Sequence, residues 1–234
     1  MTAGGTLLLA GGGHSHSLLL KRWAMRPERR PQQSITLINR RSTALYSGMV
    51  PGLIAGFYQR DELAIDLRQL CDRAGVAFVE AEIIGLDAEQ NCLHLRDRPA
   101  LHFNWLSLDV GAVSRPNSRG IPIKPLEAAL AFLESEDPND PRPLRVIGAG
   151  AAGLEVVLAL RRRWPQRALQ LQQRKGQLSS AIQKVLQRAR ITLIDDNDDT
   201  PAPACSALEA RGPPGSQPPA YRWIPMAGSA PIMP

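Results

Sequence analysis

Long apolar runs are missing from this sequence. No stretch approaches the roughly 18 residues a membrane-spanning helix needs, so none is expected. The first residues carry no basic stretch, and the apolar residues 7–10 run straight into glycines, so no secretion signal is expected either. Cysteine is scarce. Cys71, Cys92 and Cys205 stand far apart, without a CxxC pair, which excludes a local zinc site and a local redox disulfide. Cys71 falls in a helical pattern and Cys92 in a strand pattern, so both read as small core residues rather than nucleophiles. This usage fits a reducing, cytoplasmic setting. Basic clusters are also scarce, despite a net charge of +6. The longest, Arg161-Arg162-Arg163, closes a predicted helix, where cations suit the dipole and face solvent. With no nucleic-acid motif beside it, no nucleic-acid partner is expected. Hydrophobic residues at 44% and charged residues at 21% are those of an ordinary globular chain.

What is present begins at residue 6. Thr6-Leu7-Leu8-Leu9-Ala10 is a continuous apolar run, as a parallel strand buried on both faces requires. Gly11-Gly12-Gly13 turns it into a helix over about residues 15–25, and residues 34–38 form the next strand. In a dinucleotide-binding turn the first glycine permits the tight bend and the second lets backbone approach a pyrophosphate. The third lets helix and strand pack closely. Gly11 and Gly13 meet the first two needs, with His14 and Ser15 placed near the phosphates. His16 replaces the third glycine, so either the helix stands farther from the strand or His16 points outward. Asn39 occupies the ribose-binding end of the second strand, where an acid is usual. His14 and His16, two residues apart, do not share a helix face, and no metal site is expected.

Residues 40–52 read as a loop, followed by a short helix at 53–57. Asp66 reads as the N-cap of a helix that ends at Gly75. Residues 76–86, 91–96 and 101–103 form a small antiparallel meander. Residues 106–110 return as a strand ending at Gly111. Residues 126–133 are helical, and 136–143 is a linker by its Asp and Pro content.

A second unit follows. Residues 144–147 are a strand, and Gly148-Ala149-Gly150-Ala151-Ala152-Gly153 opens a helix that runs to about residue 164, with Glu155 in its first turns. All three glycine positions are filled here, so this turn is the more specific signal. Residues 168–172, 178–190 and 191–194 read as strand, helix and strand. Gln173, Arg174 and Lys175 end the first of these strands. Basic residues there suit a ribose 2′-phosphate; they equally suit a solvated surface. Beyond the acidic cluster Asp195, Asp196, Asp198 and Asp199, residues 201–234 are rich in Pro, Gly, Ala and Ser. They read as irregular or disordered. The fold class is α/β: two Rossmann-like dinucleotide-binding βαβ units, a small antiparallel β meander and an irregular C-terminal part.

In this order of units the chain resembles the flavin-dependent pyridine nucleotide-disulfide oxidoreductase superfamily. Leu106-Ser107-Leu108-Asp109-Val110-Gly111 stands in place of that family's LVIATG-type strand, with Asp109-Val110 where the family has Ala-Thr. Tyr46-Ser47-Gly48-Met49-Val50-Pro51-Gly52 is similar to the flavin-facing segment of type II NADH dehydrogenase-like members. Together with Gly-Gly-Gly-His-Ser-His it is similar to the oxidoreductase module fused to selenide, water dikinase. The resemblance covers residues 7–194. It implies an FAD-binding domain at 1–135, a linker at 136–143, an NAD(P)-binding unit at 144–195 and a tail at 196–234. It implies that Gly11, Gly13, His14 and Ser15 meet the FAD pyrophosphate, and that Asn39 and Arg40 lie near the adenosine ribose. Tyr46, Ser47, Gly48, Met49 and Pro51 would approach the isoalloxazine, and Gly111 is a further cofactor-binding position. Gly148, Gly150, Ala152, Gly153 and Glu155 would serve NAD(P)H. The implied function is FAD-dependent oxidation of NAD(P)H, with hydride passing to flavin and on to a quinone or other small acceptor. The family's later Gly-Asp motif and interface domain have no counterpart among residues 195–234. A C-terminal truncation that weakens FAD retention is therefore expected, and a non-catalytic nucleotide-binding remnant is the alternative.

Overall fold

The structure, a computed structural model, describes residues 5–111, 120–124, 126–173, 176, 178–195 and 206–209. Cys205, Arg174, Lys175, Asp196, Asp198 and Asp199 lie outside these residues. Along the chain run β1 (Thr6–Ala10), α1 (His14–Met25), β2 (Ser34–Asn39), β3 (Thr43–Leu45), α2 (Val50–Ile54), β4 (Ala64–Asp66), α3 (Leu67–Ala74), β5 (Ala77–Glu80), β6 (Ile83–Asp87), β7 (Cys92–Leu95), β8 (Arg98–His102) and β9 (Trp105–Leu108). They continue with β10 (Ile121–Pro122), α4 (Leu126–Ser135), β11 (Leu144–Ile147), α5 (Ala151–Arg163), β12 (Leu169–Gln173), α6 (Ser180–Arg188), β13 (Ile191–Asp195) and β14 (Ser206–Glu209). Packing divides the described residues into two units. The first holds 5–44 and 65–111, and the second holds 45–64 together with the described residues from 120 to 209.

In the first unit a parallel sheet runs in the order β5-β2-β1-β9. Strand β1 shows why its sequence is apolar without alternation. Leu9 packs with Leu20 of α1 and with Leu67 and Cys71 of α3 on one face. Leu8 and Ala10 pack with Leu93, Leu95 and Phe103 of the meander on the other. Both faces are covered, so both need apolar side chains. The ends of α3 are set locally. Asp66 accepts a hydrogen bond from the Gln69 N–H at 2.9 Å, and Gly75 closes the helix in the left-handed region.

The run at 76–86 is two strands, not one. β5 pairs parallel with β2, and after Ala81 the chain leaves that sheet to start the antiparallel β6-β7-β8 meander. The alternation of Val79, Ala81 and Ile83 with Glu80 and Glu82 continues through the break, so the pattern hides the change of sheet. The segment at 40–52 is also more regular than a loop. It holds β3, paired with β4, a 3-10 turn at Ser47–Met49, and the start of α2. The short helix begins at Val50, three residues before its expected start, because Pro51 is tolerated in a first helical turn.

In the second unit a parallel sheet runs in the order β10-β14-β11-β12-β13. Leu144, Val146, Val157, Leu160, Leu171 and Leu186 form its core, and Val50 and Ile54 of α2 belong to the same cluster. Strand β14 lies inside the tail expected to be irregular. It pairs parallel with β11 on one side and with β10 on the other. Four residues are too short to show a period, and what orders them is backbone pairing on both edges. The segment at 136–143 is held at its start by a buried arginine. Arg167, 2% exposed, donates to the Glu136 carboxylate at 2.9 Å and to the Asp137 carbonyl. The basic run at 161–163 is likewise not simply a solvated face. Arg161 donates to the carbonyls of Trp164, Pro165, Arg167, Ala189 and Arg190 at 2.8–3.2 Å.

Candidate functional site: two glycine turns

Each unit carries a strand–glycine–helix turn at the carboxyl end of its parallel sheet, where ligands of such sheets bind. In the first unit β1 ends at Ala10 and Gly11 bends the chain at φ +93°; Gly148 plays the same part after β11 at φ +107°. Side chains do not tolerate this region. The Gly11 N–H donates to the Ile38 carbonyl at 2.8 Å and the Gly12 N–H to Asn39 Oδ1 at 2.9 Å.

His16 does not point outward. It is 3% exposed, and its ring is bonded at both nitrogens. Nδ1 lies 2.7 Å from the Gly11 carbonyl oxygen and Nε2 lies 2.8 Å from Ser107 Oγ. A carbonyl can only accept, so Nδ1 carries the proton and Nε2 of the neutral ring accepts from the Ser107 hydroxyl. Burial pushes the His16 pKa down, opposed by the Gly11 carbonyl and by the Asp109 charge. The imidazole therefore takes the place of the third glycine by facing inward and tying α1 to β9.

Asp109 follows β9 and closes this turn. Its N–H donates to the Ala10 carbonyl at 2.8 Å, and its own carbonyl accepts from the Gly13 N–H at 3.2 Å. Its carboxylate Oδ2 accepts from the His16 N–H in the first turn of α1, at 3.1 Å. A Cβ at Gly13 would stand 2.2–2.5 Å from the carboxylate atoms. The first turn thus has a strand–glycine–helix backbone with a carboxylate at its helix terminus.

The second turn differs. Gly150 is the N-cap of α5, with ordinary extended backbone at φ −73° and no side-chain cap. Among the described residues, a Cβ there would meet nothing within 4 Å. The first turn of α5 contains no acid. Ala152 and Glu155 are exposed, and Gly153 is buried at the helix–strand contact. An open helix N-terminus of this kind favours an anion.

The other predicted site residues are placed as follows. His14 and Ser15 are exposed at the start of α1. Asn39 spends its amide on the turn itself, since Nδ2 donates to the Arg41 carbonyl at 2.8 Å while Oδ1 holds the Gly12 N–H. Arg40 and Gly111 are exposed. Tyr46, Met49 and Pro51 are half-buried in the second unit, with Ser47 and Gly48 exposed. At the end of β12, Gln173 is buried and its Nε2 donates to Asp195 at 3.2 Å. Its neighbours Arg174 and Lys175 fall outside the described residues. Sequence reasoning missed three site residues: Asp109 as a cap, Ser107, and the inward turn of His16. The one signal available was Asp109 standing where Ala was expected.

No family model and no curated protein sequence matches this chain. Solved structures match its fold. Reduced Bacillus anthracis CoADR-RHD superposes with a TM-score of 0.72 at 15% identity, over 89% of this chain and 44% of that one. The NAD-dependent persulfide reductase from A. fulgidus gives 0.68 at 16% identity, over 88% and 45%. The sulfide:quinone oxidoreductase from the hyperthermophilic bacterium Aquifex aeolicus gives 0.64 at 16% identity, over 87% and 58%. The chain spans about half the length of the structures it matches. It shares with them a Rossmann-like α/β architecture of parallel sheets flanked by helices.

Proposed function

We propose that this chain is an FAD- and NAD(P)H-dependent oxidoreductase module. Gly148, Gly150, Ala152, Gly153 and Glu155 serve the nicotinamide dinucleotide. Gly11, Gly13, His14, Ser15, Asn39, Arg40 and Gly111 serve FAD. One observation carries the reading. Gly150 has ordinary dihedrals and open space at its missing side chain, so the fold does not require a glycine there. A ligand that approaches the backbone does require one. The structures that share this fold include an NAD-dependent persulfide reductase and a sulfide:quinone oxidoreductase, which supports the class of chemistry and a small acceptor such as a quinone.

Bound together, the two dinucleotides would supply hydride transfer. The chain's part is to hold phosphates on helix termini and to orient the rings. Its described cysteines supply no nucleophile: Cys71 and Cys92 are buried, and burial pushes the Cys71 thiol up to about 12.

The test is a visible spectrum of the purified chain together with dye reduction by NADH and NADPH. A weak flavin band, and dye reduction once FAD is added, are expected. Gly150→Ala is expected to keep the melting temperature and to weaken NAD(P)H binding at least tenfold, since each lost 1.4 kcal/mol is about tenfold. Unchanged NAD(P)H affinity in a folded Gly150→Ala protein would overturn the assignment. The carboxylate at the first turn favours a second reading, a nucleotide-binding remnant without redox activity. NAD(P)H binding with neither flavin band nor dye reduction would select it.

A further inference from the structure

We propose that Asp109 is a specificity-determining residue that gates the first glycine turn against phosphate-bearing ligands. The inference rests on the reading of that turn as a dinucleotide site and adds what controls it. Two turns of the same type lie in one chain, and they differ at the place where a phosphate sits. At the second, a Cβ added to Gly150 would meet no described residue within 4 Å. At the first, a Cβ added to Gly13 would strike Oδ1, Cγ and Oδ2 of Asp109 at 2.2, 2.3 and 2.5 Å. In this state the glycine at 13 makes room for an internal carboxylate.

The carboxylate is held where it acts. Asp109 is bonded through its backbone to Ala10 and Gly13, so its Cα cannot drift from the turn. Its Oδ2 takes the His16 N–H, a donor in the first turn of α1. α1 has no acid of its own in that turn and no side-chain cap at Gly13. Asp109 is thus the anion for this helix terminus, supplied from 93 residues away in sequence. A pyrophosphate brings further negative charge to the same amides. Two anions at van der Waals contact repel, and both gain from the same helix terminus only if one withdraws. His16 does not relieve the conflict, because burial favours its neutral ring. Dinucleotide binding at this turn therefore requires the carboxylate to rotate away, and its cost appears as reduced affinity for ligands that carry the phosphates.

The experiment compares the full chain with Asp109→Asn and Asp109→Glu, using FAD and riboflavin as probes and flavin fluorescence as the readout. Asn keeps an acceptor for the His16 N–H and removes only the charge. FAD is expected to bind Asp109→Asn roughly tenfold or more tighter than wild type, given the size of a close charge–charge contact. Riboflavin, which has no phosphate, is expected to bind both alike, and Asp109→Glu is expected to show no gain for FAD. Thermal melts establish folding, and Asp109→Ser, neutral and still an acceptor, replaces Asn should Asn not fold. Equal or weaker FAD binding in the neutral variants overturns the gate while leaving the dinucleotide reading intact. An equal gain for riboflavin also overturns it, since that is general loosening. Failure of every protein to bind FAD overturns the gate together with the dinucleotide reading of the turn.

Discussion

At the scale of single residues the first turn is built around His16. Its inward ring bonds the Gly11 carbonyl and the Ser107 hydroxyl, and burial holds its pKa below 6.5. The sign of the consequence follows from linkage. The unfolded chain binds the proton more readily than the folded one. The contribution of this site is therefore complete above pH 6.5 and is lost as pH falls through the lowered folded value. Melting temperatures are expected to fall as pH drops below about 6.5, and His16→Gln to remove that part of the slope. An identical slope in the variant would place the titration elsewhere. The sequence showed that His16 departs from the glycine pattern. It did not show which way the ring turns, because the partner that draws it inward, Ser107, is 91 residues distant. Asp109 was visible in the same limited way, as an unexpected residue without a visible contact.

At the scale of elements, legibility followed the range of the interaction that sets each boundary. The ends of α3 were readable because Asp66 bonds Gln69 and Gly75 closes onto Asp72 and Cys71, all within a few residues. The change from β5 to β6 was not, because it is decided by which partner strand lies alongside. Strand β14 was not, because its order comes from pairing with β10 and β11. The C-terminus of α5 belongs to this second group. Arg161 reads as one cation of a basic run, yet its guanidinium joins that terminus to the carbonyls of Ala189 and Arg190 after α6. It also bonds the carbonyls of Trp164, Pro165 and Arg167 leading to β12. Burial and the neighbouring Arg190 charge lower its pKa, as a group removed from water requires. Hydrogen bonds to a charged donor contribute about 1.5–3 kcal/mol, so Arg161→Ala is expected to cost at least about 2 kcal/mol in denaturant unfolding. Arg161→Lys is expected to restore little, because an ammonium cannot span five carbonyls in a fixed fork. Substitution at exposed Arg162 serves as the control, and an equal loss there would remove the special role of Arg161.

At the scale of the whole molecule, chain order and spatial order differ. Two glycine turns are legible in the sequence, and the structure places one in each packing unit. Sequence could not assign residues 45–64. Val50, Ile54 and Leu63 are apolar, as any buried helix demands, and nothing local says that they join the cluster of Leu144, Val157 and Leu160. This division makes ligand occupancy separable by position. NADH should bind at the open α5 terminus, slowing amide exchange around residues 148–154 in the second unit. It should leave residues 11–17 at their unliganded rates, since the carboxylate of Asp109 holds that helix terminus. FAD should do the reverse, and its protection of residues 11–17 should grow in Asp109→Asn. Hydrogen exchange with each dinucleotide alone measures all of this in one protein. NADH protection centred on residues 11–17 would mean that the turn with the filled terminus is the better anion site. The contrast between Gly13 and Gly150 would then lose its functional meaning.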